Sequence, residues 1–236
     1  MIGNRLKRAR EALGMSLREL EAAIQGQVSA QAIGKYERDE MMPSSTSLLA
    51  LSKALGVSPE YLLSERAIEL TGVDFRKAPH AGVKEERAVE ASVLDQVERY
   101  LALEELLPGV EQHWEDPDDP AFRIARIEDA EQAADALRRL WQLGIDPIPS
   151  MAELLEDKGV KVIALNLPEN VSGSKAFVQR PHEHDVPVIV VNQGHNGERQ
   201  RFTLAHELAH VVLRFTGLSD AEQEKAADRF AGAFLM

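Results

Sequence analysis

The chain has 236 residues, of which 44% are hydrophobic and 28% charged, with no cysteine and a formal net charge of −12. That length holds one large domain or two small ones, and the composition is that of a folded globular chain. It excludes disulfides, thiolate metal sites and cysteine nucleophiles, which fits a reducing cytoplasm. No apolar run reaches the roughly 18–20 residues that span a bilayer, and the basic start MIGNRLKRAREALG lacks the apolar core of a secretory signal. Neither a membrane partner nor export is therefore expected. The charge is uneven: residues 1–63 hold 8 Lys/Arg against 7 Asp/Glu, and the remainder 19 against 32. So acidic a body disfavours nucleic acid, and any contact with DNA is expected of the N-terminal piece.

Residues 1–64 read as five short helices. Ile2, Leu6, Ala9 and Leu13 recur at helical spacing, and Gly14 supplies a stop. Ser16 opens SLRELEAAI, with Glu19 three residues on as a capping box. Gly26 breaks the pattern and Ser29 opens SAQAIGKYERD. Pro43 and Ser44–Ser45 start TSLLALSKALG, which Gly56 ends, and Ser58-Pro59 begins EYLLS. Helix two, a turn with Gly and helix three have the layout of a helix-turn-helix. The Val28-Ser29 start, Ile33, Tyr36 and the later LLALSKALGVSPEYLL make residues 2–64 resemble the XRE (Cro/cI-like) DNA-binding domains. The resemblance implies a double-stranded DNA operator and binding as a homodimer on paired half-sites. A third helix opened by small polar residues can enter the major groove, where Gln reads adenine and Lys guanine or phosphate. Ser29, Gln31 and Lys35 are the candidate contacts there, and Arg18 suits a phosphate.

Residues 67–123 read as a linker region. Alternation in AIELTGVDFRK predicts an extended segment, PHAG a linker, and residues 83–107 a long helix striped by Val89, Val93, Val97, Tyr100 and Leu101. PGVEQHWEDPDDP reads as a loop. From residue 124 the pattern is α/β: a helix ending at Gly144, a second ending at Gly159, then the β-branched runs KVIALN, SKAFV and VPVIVVN. Two helices close the chain, ERQRFTLAHELAHVVLRF and SDAEQEKAADRFAGAFLM.

The first of these carries His206, Glu207 and His210 in the pattern H-E-x-x-H. On a helix, residues i and i+4 lie on one face about 5–6 Å apart, so two imidazoles can close on one ion. Glu207 lies about 100° round the helix, badly placed to ligate but well placed to take a proton from water. Leu204, Leu208, Val211 and Phe215 occupy the opposite face, so the helix is expected to be buried on both sides. A zinc site needs a third protein ligand. In the last helix, Ser219 and Glu222 form a capping box, which gives Glu222 a structural role. Counting 100° per residue, Glu224 shares a face with Ala227, Asp228, Ala231 and Leu235. Glu224 facing inward reads as a ligand, and Asp228 one turn later as the acceptor behind a ligating histidine.

RFTLAHELAHVVL followed by EKAADRFAGAFLM resembles the ImmA/IrrE family of zinc metallopeptidases, and the strands with GSKAF are similar to that family's preceding sheet. The resemblance covers residues 124–236. It implies a zincin-like fold, a Zn2+ held by His206, His210 and Glu224, and Glu207 as catalytic base. The family's pattern continues past the final Leu-Met, which implies a fragment or a short form whose cleft lacks a wall. His182, His184 and His195 are weighed as rim or oxyanion residues and expected instead to be ordinary loop histidines. Trp114 and Trp141 are expected in a core or interface.

The combined expectation is a multidomain cytoplasmic regulator of bacterial or phage type. An all-α helix-turn-helix domain (1–66) is joined through 67–123 to an α/β (α+β) metallopeptidase domain with a small sheet (124–236). Its protein substrate is expected to be a partner repressor or the chain itself. Two other readings stay open: a repressor whose peptidase-like domain is a non-catalytic sensor, and a component of a toxin–antitoxin module.

Overall fold

A computed structural model describes residues 2–63, 69–71, 83–107, 112–179 and 185–236. It divides into two compact units, Met1–Glu69 with His80–Ala102 and Leu70–Pro79 with Leu103–Met236.

The first unit is helical: α1 (Ile2–Ala12), α2 (Leu17–Ala23), α3 (Ala30–Glu37), α4 (Ser45–Leu55), α5 (Pro59–Leu63) and most of α6 (Val83–Leu106). The starts of α2, α3 and α4 are set by Ser16, Ser29 and Ser44, each accepting a backbone N–H of the first turn. Gly56 ends α4 in the left-handed conformation. α1 packs on α3 and α5, and α2 on α3 and α4, around the buried Leu6, Leu20, Ile33, Leu51 and Leu62. α1 approaches α3 so closely that a Cβ on Gly3 would lie 2.6 Å from the carbonyl oxygens of Tyr36 and Glu37.

Two buried arginines tie this unit together. Arg10 grips Glu37 through Nε at 2.6 Å and Nη2 at 2.8 Å, and gives Nη1 to the Met15 carbonyl. Arg5, 4% exposed, donates to Glu98 of α6 at 2.7 and 3.3 Å, while its guanidinium lies 4.9 Å from the Tyr61 ring centroid. Burial pushes the Glu98 carboxyl above its ordinary value, against the pull of Arg5 and Arg8. α6 therefore buries Glu98 beside Ala91, Val93, Leu94, Val97 and Leu101, a polar member that the apolar stripe did not announce.

The second unit is α/β. A four-stranded sheet has the order β1 (Glu69–Thr71), β4 (Gly173–Gln179), β5 (Val186–Asn192), β3 (Lys161–Leu165), with β3 parallel and β4 antiparallel to β5. β5 is buried along its whole length, as its unbroken apolar run requires. A two-residue pair joins β2 (Arg123–Ile124) to β6 (Arg214–Phe215) in parallel. Among the described residues α7 (Asp129–Leu140), α8 (Met151–Asp157), α9 (Gly197–Val212) and α10 (Asp220–Leu235) complete the unit. α9 lies on β4 and β5, α10 on α9, and α7 on α10. Phe122, Leu137, Leu155, Phe230 and Phe234 are fully buried in their common core, with Trp114 and Trp141 packed against it. Gly159 turns out of α8 at φ +83°, against the backbone of His113 and Trp114, where no side chain would fit.

Within AIELTGVDFRK, expected to be extended, Glu69–Thr71 form a strand; its flanks, PHAG, His182 and His184 lie outside the described residues. Two expectations change here. The helix expected to run to Phe215 stops at Val212, because Arg214 and Phe215 turn aside to pair with β2. And α9 is buried on one side only: Leu204, Leu208 and Val211 face the core, while His206, Glu207 and His210 are partly exposed.

Candidate metal centre

α9 starts at Asn196, whose side chain accepts the Arg199 N–H. Its apolar residues dock on the sheet, which leaves the 206–210 face turned toward α10. α10 starts at Ser219, whose N–H and hydroxyl both donate to Glu222 at 2.9 and 2.6 Å. Those bonds hold the Glu222 carboxylate below its ordinary value and leave Glu222 outside the centre. Ala226, Ala227, Phe230 and Ala231 bury the helix, and this sets Glu224 opposite the two histidines.

The donor atoms converge. His206 Nε2 and His210 Nε2 lie 3.3 Å apart, His206 Nε2 is 3.3 Å from Glu224 Oε2, and His210 Nε2 is 3.3 Å from Glu224 Oε1. A tetrahedron with metal–ligand bonds of about 2.0–2.1 Å has edges of about 3.3–3.4 Å. The spacing of the two histidine nitrogens matches that edge, each nitrogen has a different Glu224 oxygen at the same distance, and two imidazoles with one carboxylate are a donor set that zinc favours. Among the described residues these three form the one cluster with metal-ligand spacing.

Behind the donors, Asp228 Oδ1 lies 2.9 Å from His206 Nδ1. With the Nδ1 proton donated to Asp228, the His206 Nε2 lone pair points at His210 and Glu224. The inward placement expected for this pair needs correction. Glu224 is 36% and Asp228 59% exposed at the side chain, against 16% and 12% for His206 and His210. The alanines and phenylalanines of α10 pack inward, and its carboxylates line a rim open to solvent. Glu207 follows His206 on the partly exposed side of α9.

Three neighbours were not foreseen. Phe202, 40% exposed, has its ring 6.5 Å from that of His206. Phe215, from β6 rather than α9, has its ring 5.9 Å from that of His210. Lys175 of β4 donates from Nζ to the His210 carbonyl at 3.0 Å. No spacing rule connects residue 175 to residue 210; only the packing of α9 on β4 does. His195 stands before α9, about 14 Å of helix rise from His206, and its Nε2 lies 3.0 Å from the Glu169 carbonyl. It belongs to the loop and not to an oxyanion site.

In the first unit, Arg18 lies exposed at the start of α2, and Gln31 and Lys35 lie exposed on one face of α3. The Ser29 side chain is also exposed, but its oxygen accepts the Ala32 N–H at 3.2 Å and caps α3. Among the described residues no helix is long and apolar enough to cross a membrane.

Two family models match the chain: a helix-turn-helix at residues 6–62 and an IrrE N-terminal-like domain at residues 155–236. No curated protein matches the chain, and no solved structure does. The two matches fall on different units, the five short helices and the α/β unit that holds the histidines. The chain is thus a helix-turn-helix domain fused to a metallopeptidase-family domain of the IrrE N-terminal-like type.

Proposed function

We propose that this chain is a DNA-binding transcriptional regulator whose second unit is a zinc-dependent peptidase, cleaving a regulatory protein such as a partner repressor or the chain itself. The observation that carries the reading is the convergence of two histidine nitrogens 3.3 Å apart on the Glu224 carboxylate, one oxygen 3.3 Å from each, with Asp228 behind His206. His206, His210 and Glu224 would hold the ion. A bound zinc supplies a Lewis acid that polarises the scissile carbonyl and makes water acidic enough to deprotonate near neutral pH.

The remaining chemistry falls to the chain's own side chains. Glu207 accepts the proton of the attacking water and returns it to the departing amine, so one carboxylate serves as base and then acid. Asp228 keeps the His206 ring in one tautomer and one orientation. The solvent-open rim of Glu224 and Asp228 gives a polypeptide access that a buried site would deny. Arg18, Ser29, Gln31 and Lys35 are the proposed operator contacts, made by a homodimer in the cytoplasm where the operator lies.

The test compares wild type with Glu207→Gln for zinc content and for cleavage of co-expressed candidate repressors. Full zinc in both, with cleavage lost in the variant, is the expected result. Undiminished cleavage by Glu207→Gln at equal zinc occupancy refutes the mechanism. Operator binding and zinc in a wild type that cleaves nothing would favour a sensor instead.

A further inference from the structure

α9 ends at Val212: the Ala209 carbonyl still meets the Leu213 N–H four residues on, and the carbonyls from His210 onward lie beyond that last helical bond. A ligand in the last turn of a helix is poorly fixed unless something outside the helix holds that turn.

Three contacts close the end. The Ala209 carbonyl accepts from the Leu213 N–H at 2.8 Å, and the Val211 carbonyl from Arg214 Nη1 at 2.8 Å. The carbonyl of His210 itself accepts from Lys175 Nζ at 3.0 Å. Lys175 is rooted in β4, paired with Ile189 of the fully buried β5, and its ammonium lies 5.7 Å from the Phe177 ring centroid two residues along. The anchor is thus part of the sheet. His206 is oriented through its ring by Asp228, whereas His210 is held at its own peptide from the opposite side of α9.

We infer that Lys175 is a positioning residue for the metal centre: it clamps the last turn of α9 to β4 and so fixes His210 for ligation. The inference rests on the zinc reading above. Two effects of the ammonium oppose one another. Its charge repels a dication, so a lysine that acted by charge alone would weaken binding, and removing it would tighten binding. Clamping has the opposite sign, because a loosened ligand must be ordered on binding.

The test is zinc affinity of the full chain, measured by competition with a chromophoric chelator. Wild type, Lys175→Met and Lys175→Arg are compared, with circular dichroism of each. Outer partners of metal ligands are worth about 10–100-fold in affinity, so Lys175→Met is expected to bind at least about tenfold more weakly with its helix content unchanged. Lys175→Arg keeps a donor of similar reach and is expected to stay within about threefold of wild type. Cobalt absorption is expected to report a less regular tetrahedral site in Lys175→Met alone. If Lys175→Met fails to fold, Lys175→Gln, whose amide is one bond too short to reach, is read in its place against the same expectation. Equal or tighter zinc binding without the lysine overturns the inference and leaves the centre standing. A wild type that takes up no zinc overturns the centre and the inference together.

Discussion

Removing the carboxylate of Glu98 tests how α6 is held. Glu98→Ala removes the carboxylate that the Arg5 guanidinium, 4% exposed, meets at 2.7 and 3.3 Å. Breaking a buried ion pair from one side costs about 3–5 kcal/mol. Two features favour the lower end. Arg8, 19% exposed at the side chain and 3.4 Å from Glu98, can turn outward, and Arg5 keeps its contact with Tyr61. A loss of about 3 kcal/mol multiplies local opening roughly 100-fold. Hydrogen exchange of the full chain reads each unit separately and needs no single transition for the whole molecule. Amides of α1 and α6 should exchange roughly 100-fold faster, with those of α9 and α10 unchanged. Arg5→Met with Glu98→Leu, which removes both charges and keeps bulk, should recover most of the loss. Burial holds the folded Glu98 carboxyl above its ordinary value, so the folded state binds more protons than the unfolded one. Its contribution to stability therefore falls as pH rises through the window above the ordinary carboxylate value, and this slope should vanish in Glu98→Ala. Acceleration under about tenfold, or a double variant no better than the single, would refute the view that the loss of this carboxylate from a buried guanidinium sets the cost.

Asp228→Ala should lower zinc affinity about 10–100-fold, with Asp228→Asn between it and wild type, as read by chelator competition. Phe234 is fully buried, stacked on Phe230 at 5.6 Å and edge-on to Trp141 at 5.8 Å. Phe234→Ala should cost about 3–5 kcal/mol, seen as faster exchange in α7 and α10 and a lower melting temperature. The Ser219 hydroxyl and N–H hold the Glu222 carboxylate below its ordinary value, so its cap is intact above that value and is lost as pH falls through the depressed one. Protection of the first turn of α10, taken relative to the intrinsic exchange rate at each pH, should fall on acidification in wild type and be lower and without that pH dependence in Glu222→Ala.

Local chemistry carried much of this into the sequence. Ser16, Ser29 and Ser219 announced helix starts because a cap is written within three residues of itself. His206 with His210, and Glu224 with Asp228, share faces because a 3.6-residue period is legible without a fold. Contacts between elements were not legible. The alternation around Lys175 gave a strand but not the helix end that it reaches. The stripe on α6 gave its apolar face but not Glu98, which is tolerated there because Arg5 and Arg8 arrive from 93 and 90 residues away. Phe215 was assigned to the face of α9 by periodicity, yet pairing with β2 ends the helix first. The inward turn given to Asp228 failed for a related reason: angles round a helix rank its faces, and neighbours decide which one meets water.

α7 has a consequence for any attempt to isolate the chemistry. It lies before residue 155, outside the matched domain, and contributes none of the proposed donors. Yet it covers α10, Arg138 donates to the Phe234 carbonyl at 2.6 Å, and Glu131 meets Arg229 at 2.8 Å. A fragment cut at residue 155 would keep every proposed ligand and strip the wall from Phe230 and Phe234, aromatic side chains that each bury on the order of 150–250 Å². The smallest transplantable piece of this protein therefore begins no later than His113, whose backbone, with that of Trp114, packs on Gly159. A swap of the histidine-bearing segment alone into another regulator would move the ligands without the scaffold that aims them.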